Sequence, residues 1–409
     1  MRTGCTASSE LSRPADAVAS ERGLYPTRLP RAGAGRLRGA AGAVCLALAV
    51  AAGAGPARAG EPGQEAASVE TKLVEAFRAE CAAKAAAALE ARSMTVAGRD
   101  GWLFLAGELR HLGAGKFWGD RAAEVSRAAR PEWADPMPAI LDFKRQMDAA
   151  GIQLILVPVP PKAVVYPDMI TDAVRSDPKA ERPVPRLDID LQAFYALLRE
   201  KGVDVLDLAD ALIASRKDEK EGLHPYCMTD THWSPTACQM TAGLIVQRIG
   251  KRDWLPRSRR SPFATRVQTL EIAGDLAKGI SGPPPAREKI EARIVTASGR
   301  GGVAETVDKA SPVLVLGDSH CLVFNAGGDM HAVDAGLADQ LAADLGMPID
   351  CLGVRGSGAT PARLSLMRRA RADAGYLPGK KVIVWCFTAR EFTESQGWRE
   401  VPVVREAAQ

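Results

Sequence analysis

Apolar residues fall at Val69, Leu73, Phe77, Cys81 and Leu89, steps of four or eight that place them on one face of an α-helix. A polar stretch, 60–67, leads into them, so 60–95 is predicted to be a linker and an N-terminal helix. Gly98-Arg99-Asp100-Gly101 then sets a tight turn ahead of the apolar run Trp102-Leu103-Phe104-Leu105, which reads as a short strand.

From about 136 the pattern alternates between helical spacing and short apolar runs. Helices are predicted over 137–149, 189–200, 208–216, 235–249 and 361–374, and strands over 152–158, 203–206, 313–316, 349–354 and 381–387. Strands of this length and apolarity, separated by helices, imply a mostly parallel sheet covered on both faces. The stretch 251–310, rich in Pro, Gly and Arg, has no clean period and is expected to be a long insertion crossing the surface. A single α/β domain over 96–395, followed by a tail over 396–409, is the organisation expected.

The first 59 residues carry a different signal. Arg28, Arg31, Arg36 and Arg38 precede an apolar run from Gly39 to Gly55, and Ala57-Arg58-Ala59 supplies small residues beyond it. Positive, apolar, small is the order of a secretory signal, here with an upstream extension. The run is short for a membrane span, so a periplasmic or exported protein is expected, with an uncleaved anchor as the alternative. A net charge of +4 on 409 residues gives no case for nucleic acid.

Export changes the reading of the cysteines. Removal of 1–59 takes Cys5 and Cys45 and leaves Cys81, Cys227, Cys238, Cys321, Cys351 and Cys386, an even set that an oxidising compartment can pair. Cys321, Cys351 and Cys386 lie in apolar runs and are expected as buried thiols. Cys81, Cys227 and Cys238 are the bridge candidates, with Cys81 expected to tie the N-terminal helix to the segment 227–238.

Reactive groups in such a sheet gather where strands end at the carboxyl edge. The run 313–316 passes straight into Gly317-Asp318-Ser319-His320. Glycine lets the chain turn sharply, a serine at the turn has its hydroxyl exposed, and nearby N–H groups can stabilise negative charge. The plainer role for Asp318 and Ser319 is a helix cap. A serine nucleophile needs a base held by a third group, and Asp230-Thr231-His232-Trp233 offers both. Two residues apart on an extended loop, Asp230 and His232 point the same way, so the carboxylate can orient the imidazole through Nδ1 and leave Nε2 for the serine proton. The plainer role here is a capping Asp beside a satisfied His. Val354-Arg355-Gly356-Ser357-Gly358 is the third such segment; Gly356 and Ser357, with the N–H of Ser319, are candidate oxyanion donors, although a flexible turn has the same composition. His224, Cys227, Asp230, His232 and Cys238 form a rival, zinc-like set. Its spacing fits no familiar module, and no metal is expected.

These motifs together resemble the alginate O-acetyltransferase family, exported SGNH-hydrolase-like enzymes that acetylate exopolysaccharides. The resemblance rests on Gly98-Arg99-Asp100-Gly101-Trp102-Leu103-Phe104, on Val157-Pro158-Val159-Pro160-Pro161-Lys162 with Tyr166-Pro167, and on Asp230-Thr231-His232-Trp233. It continues through Gly274-Asp275-Leu276, Gly317-Asp318-Ser319 and Trp385-Cys386-Phe387-Thr388-Ala389-Arg390-Glu391. Asp-x-His comes 87 residues before the serine, the circularly permuted order of this family. The resemblance implies a three-layer α/β/α, flavodoxin-like fold, with Ser319 as nucleophile, His232 as general base and Asp230 as its orienter. It implies no cofactor, a membrane O-acyltransferase as the acetyl donor and a polysaccharide as the acceptor. His320 stands where an aromatic or other large residue is more usual and is expected to line the pocket. The asparagine of ordinary SGNH enzymes is absent from 355–358. Little chain remains after 391 for a carbohydrate-binding module, so polymer contacts are expected from Trp233, His320, Arg390 and Trp398. Acetyl transfer to an exported polysaccharide is the function expected. The alternatives are an acetyl or carbohydrate esterase using the same triad and a non-catalytic polysaccharide-binding assembly protein.

Overall fold

The computed structural model describes residues 62–404, apart from 178, 257–261, 281, 284 and 298–305. The export signal expected at 1–59, with Cys5 and Cys45, lies outside the described residues. Among the described residues no helix is long and apolar enough to cross a membrane.

The apolar runs become strands. β1 (Thr95–Ala97) and β2 (Leu103–Leu105) pair antiparallel across the 98–101 turn. β3 (Gln153–Val159) and β4 (Asp204–Val205) follow, then a hairpin of β5 (Phe263–Ile272) and β6 (Glu288–Ala297), and finally β7 (Val313–Gly317), β8 (Asp350–Gly353) and β9 (Val382–Thr388). The central sheet has the order β4-β3-β9-β7-β8, and every neighbouring pair in it is parallel. All seven residues of β9 are buried, whichever way they point. Both faces of the sheet are therefore covered, as a parallel sheet requires. The chain leaves β3 toward one edge and β7 toward the other, and all the carboxyl ends share one rim, where α/β sheets of this kind carry their sites.

The predicted helices form at Pro136–Ala149, Ile189–Glu200, Ala209–Ser215, Pro235–Ile249 and Thr360–Ala372. Two begin with the pattern that sequence signals best, a capping side chain before a first-turn proline: Asp135 accepts from Met137 N and Ser234 from Thr236 N. The N-terminal helix spans Pro62–Glu90. Its buried stripe runs through Phe77, Cys81, Ala85 and Ala88, while Leu89, expected on that face, is 64% exposed. Helix Ala106–Ala114 packs against it so closely that a Cβ on Gly113 would stand 2.8 Å from Ala82.

Two expectations are corrected. The stretch 251–310 is not merely a surface crossing, since it holds the β5–β6 hairpin, paired over ten residues on each side. β5 is buried only at its two ends, so no alternation marked it as a strand. The bridge expected for Cys81, Cys227 and Cys238 also fails: these three are free thiols, as are Cys321, Cys351 and Cys386, for which no bridge was expected. Each serves as a small apolar filler instead. Cys81 sits in the buried stripe of the N-terminal helix, where burial pushes its thiol up to about 12. Cys227 faces the Trp233 carbonyl oxygen at 3.6 Å, and Cys321 donates to the Cys386 carbonyl at 3.2 Å.

Candidate active site

β7 is apolar throughout and delivers the chain to the rim at Gly317. A Cβ here would lie 1.6 Å from the carbonyl oxygen of Cys386 on the neighbouring strand, so only glycine lets β7 and β9 close up at this point. Asp318 turns back on the chain. Its carboxylate accepts from His320 N at 2.8 Å, His320 Nδ1 at 3.2 Å and Thr388 N at 2.8 Å. Burial would raise this acid, but the hydrogen bonds and the charges of His320 and Arg390 hold it at about 2. The serine turn, Ser319–Cys321, is thereby fixed to the end of β9.

The second loop is built the same way. Tyr226 bridges Trp233, which brings 227–232 into a tight excursion. Asp230 Oδ1 accepts both the backbone N–H of His232, at 3.0 Å, and its ring Nδ1, at 2.7 Å, the local side-chain turn that Asp favours. Lys162, from the Pro-Pro-Lys end of β3, is wholly buried and donates through Nζ to the carbonyls of Leu103, at 2.8 Å, and Asp230, at 2.5 Å. That single amine ties β2, the loop after β3 and the Asp230 loop together. Trp233 Nε1 donates to the His320 carbonyl at 3.2 Å and fastens the Asp230 loop to the serine turn.

The two loops meet at the rim of the sheet. His232 Nε2 lies 2.8 Å from Ser319 Oγ. Asp230, His232 and Ser319 thus form one continuous hydrogen-bonded line from carboxylate to hydroxyl. Burial works against a charge on His232, but the hydrogen bond and negative charge of Asp230 prevail and raise its pKa. Burial likewise disfavours charge on Asp230, yet the bonds from His232 and His331 hold its carboxyl well below the usual range. An ionised carboxylate, an imidazole oriented through Nδ1 and a hydroxyl on Nε2 are the parts of an activated serine. Ser319 and His232 are both buried, at 9% and 8% exposure.

The hairpin completes the loop from behind. Asp275 N donates to Asp230 Oδ2 at 2.8 Å, while the Asp275 carboxylate accepts from Thr231 N at 2.7 Å. Glu288, the first residue of β6, accepts from Met228 N at 2.8 Å. Sequence reasoning also passed over His331, whose Nε2 meets Asp230 Oδ2 at 2.9 Å. It lies in an irregular loop with no motif around it; its scarcity, one of five histidines in the chain, was the only available signal.

Several expected substrate contacts are placed elsewhere. Trp233 and His320 are completely buried, so neither offers a face to a sugar. Trp398 is also buried and donates through Nε1 to the Glu391 carbonyl at 3.0 Å. Arg390 is occupied by Glu108 at 3.2 Å and by Thr388 at 3.1 Å. Ser357 gives its hydroxyl to the Glu391 carboxylate, which engages the donor once assigned to an oxyanion. Gly356 is exposed, and its loop reaches the serine turn, since a Cβ on Gly358 would lie 3.0 Å from Asp318 N. Of the zinc-like set, Asp230 and His232 come together. Among the described residues the ligand atoms grouped within 4.8 Å belong to Asp230, His232 and Asp275; Asp230 and His232 are bonded to each other, and Asp275 to Thr231 and Asp230.

Comparison with known proteins agrees with this architecture. Residues 95–389 match the family model of the SGNH hydrolase-like domain, acetyltransferase AlgX. A probable alginate O-acetylase AlgJ from Pseudomonas putida is 24% identical over 310 residues, 74% of this chain and 71% of that protein. The probable alginate O-acetylase AlgJ of Pseudomonas aeruginosa is 30% identical over 178 residues, 44% of this chain and 38% of that one. Among solved structures, the O-acetyltransferase domain of Pseudomonas putida AlgJ superposes with a TM-score of 0.51 at 22% identity, covering 74% of this chain and 92% of the domain. At that identity the structural likeness speaks for the fold.

Proposed function

The chain belongs to the SGNH hydrolase-like acetyltransferase family of AlgX, and from that premise we propose that it acetylates hydroxyls of an exported, alginate-type polysaccharide through an acyl-serine on Ser319. The observation that carries the reading is the line Asp230–His232–Ser319, with spacings of 2.7 and 2.8 Å.

The steps follow from that line. His232 Nε2 takes the proton of Ser319 as Oγ attacks the acetyl carbonyl of the donor. The resulting imidazolium keeps its Nδ1–H on Asp230, which stabilises the charge without taking the proton. Collapse of the tetrahedral species breaks the bond to the donor's leaving group, which departs with the proton from Nε2. A sugar hydroxyl then gives its proton to the same nitrogen, attacks the acyl-serine carbonyl and becomes the acetyl ester, and Ser319 Oγ recovers its proton. We assign the oxyanion to backbone N–H groups, with Ser319 and Gly356 as the candidates. The donor is proposed to be a membrane O-acyltransferase, and the site of reaction the periplasm.

Incubation of the protein with a soluble acetyl ester and a panel of oligosaccharides tests this by mass spectrometry. Acetylated sugar together with a Ser319-linked acetyl adduct is the expected result. Free acetate alone, whatever sugar is present, identifies an esterase with the same nucleophile. Equal labelling of wild type and Ser319→Ala removes Ser319 as nucleophile, and with it the proposed route.

A further inference from the structure

Asp230 is gripped from two sides. Oδ1 takes the ring and backbone N–H of His232; Oδ2 takes His331 Nε2 at 2.9 Å and Asp275 N at 2.8 Å. A carboxylate has about four acceptor positions, and here all are filled, so it can neither rotate nor move toward either histidine. The bond to Asp230 requires a proton on His331 Nε2, because an ionised carboxylate only accepts.

His331 reaches this position at a conformational cost. Its φ is +71°, in the left-handed region that side chains with a Cβ rarely occupy. Phe324, at the foot of the same loop, also has a positive φ, +59°, and its ring backs the His331 ring at 5.5 Å between centroids. Strain of this kind persists where surrounding contacts over-determine it, and such places cluster at functional sites. The side chain is 10% exposed, and its Nε2 points at a triad carboxylate.

Resting on the acyl-serine reading above, we propose that His331 is a positioning residue of the relay: it fixes Asp230 from the side opposite His232 and limits how strongly that carboxylate draws on the His232 ring. A hydrogen bond to Oδ2 spreads the negative charge that Oδ1 offers to Nδ1–H. Without it, the carboxylate interacts more strongly with the imidazolium and His232 becomes harder to deprotonate, while Asp230 gains freedom to turn. The bond thus keeps His232 both aimed and ready to release its proton to the leaving group. The other groups acting on His232 are the carboxylates of Asp275 and Asp318 and the His320 ring, 4.9 Å away. Asp329, two residues before His331, is taken up by Arg355.

The test is the pH profile of kcat/KM for hydrolysis of a chromogenic acetyl ester by wild type, His331→Ala and His331→Gln, with Ser319→Ala as control. His331→Ala is expected to lose about tenfold in rate, the scale of one hydrogen bond to a charged group. Its acid limb should move upward by about half a pH unit. His331→Gln, which keeps a donor at the position of Nε2, should restore both. An unmoved limb in His331→Ala makes His331 a purely structural contact and overturns the proposal. Turnover that survives in Ser319→Ala refutes the acyl-serine reading instead, so the two failures are distinguishable. Nitrogen-15 spectra of the wild-type histidines give a check that needs no variant to fold: Nε2 of His331 must carry the proton, and a bare Nε2 overturns the proposal.

Discussion

Asp318 holds His320 by the same pair of bonds with which Asp230 holds His232. In each case one carboxylate oxygen accepts the backbone N–H and the ring Nδ1 of the histidine two residues on. The far sides of the two rings differ. His232 Nε2 meets the Ser319 hydroxyl, whereas His320 Nε2 is buried with no hydrogen-bond partner. The pKa values follow: burial opposes charge on both rings, but the Asp230 bond outweighs it for His232, which moves up, while burial prevails for His320, which moves down. One dyad is ready to take a proton. The other holds a neutral ring that braces the serine turn.

This asymmetry fixes a pH dependence. A general base must be neutral to act, and the pKa of His232 is raised above the ordinary 6.5. The acylation rate is therefore expected to rise with pH along a limb whose midpoint lies above that value. In Asp230→Asn the limb should shift downward while the maximal rate falls by roughly 10²–10⁴, the range for loss of a correctly held base. A stopped-flow profile of acyl-enzyme formation checks both; a limb below 6.5 in wild type contradicts the assignment of His232.

Glu391 supplies a stability prediction of opposite sign. Burial, helped by the charge of Asp318, lifts its pKa from 4.5 to about 7. The folded protein thus holds a proton that the unfolded chain releases between those values, and stability falls as pH rises through the window. The loss is complete above about pH 7 and amounts to about 3 kcal/mol. Glu391→Gln should accordingly be more stable than wild type at pH 8, and the difference should vanish below about pH 4.5. Urea titrations at the two pH values measure it.

The free cysteines are equally testable. All six from Cys81 onward should react with a thiol reagent in denaturant without prior reduction, and dithiothreitol should leave the melting temperature unchanged. Fewer than six reactive thiols, or a melt lowered by reductant, would restore the crosslink once expected between Cys81 and the 227–238 segment.

What was legible in the chain was what is local. Asp230 and His232 orient each other through an i to i+2 turn, and Gly317-Asp318-Ser319 directly extends an apolar strand, so spacing alone conveyed their geometry. Helices with a capping side chain and a first-turn proline were legible for the same reason. The helices Ala106–Ala114 and Leu337–Leu345, each of nine residues, carried no such start signal: Leu105 makes no cap hydrogen bond and Gly336 has no side chain to make one. Trp233 was misread as a sugar platform because its indole N–H is spent inside the protein, on the His320 carbonyl. His331 and Asp275 reach Asp230 from loops 101 and 45 residues away in the chain, a meeting that only tertiary packing produces.

The hairpin's part in the site can be tested at Gly274. A Cβ there would lie 2.0 Å from the Thr229 carbonyl oxygen and 2.5 Å from Asp230 N, so Gly274→Ala must push the 274–275 backbone away from the loop. Asp275 N then leaves Asp230 Oδ2, and the Asp275 carboxylate loses its bonds to Thr231. These contacts lie at the rim, outside the five-stranded core, so the cost should fall on catalysis more than on folding. An approximately tenfold lower kcat/KM is expected, on the scale of one bond to a charged group, with a melting temperature within a few degrees of wild type. Kinetics and a thermal melt on the same preparation separate the two effects. Unchanged kinetics would mean that Asp230 is held without the hairpin, and that β5 and β6 serve some purpose other than support of the relay.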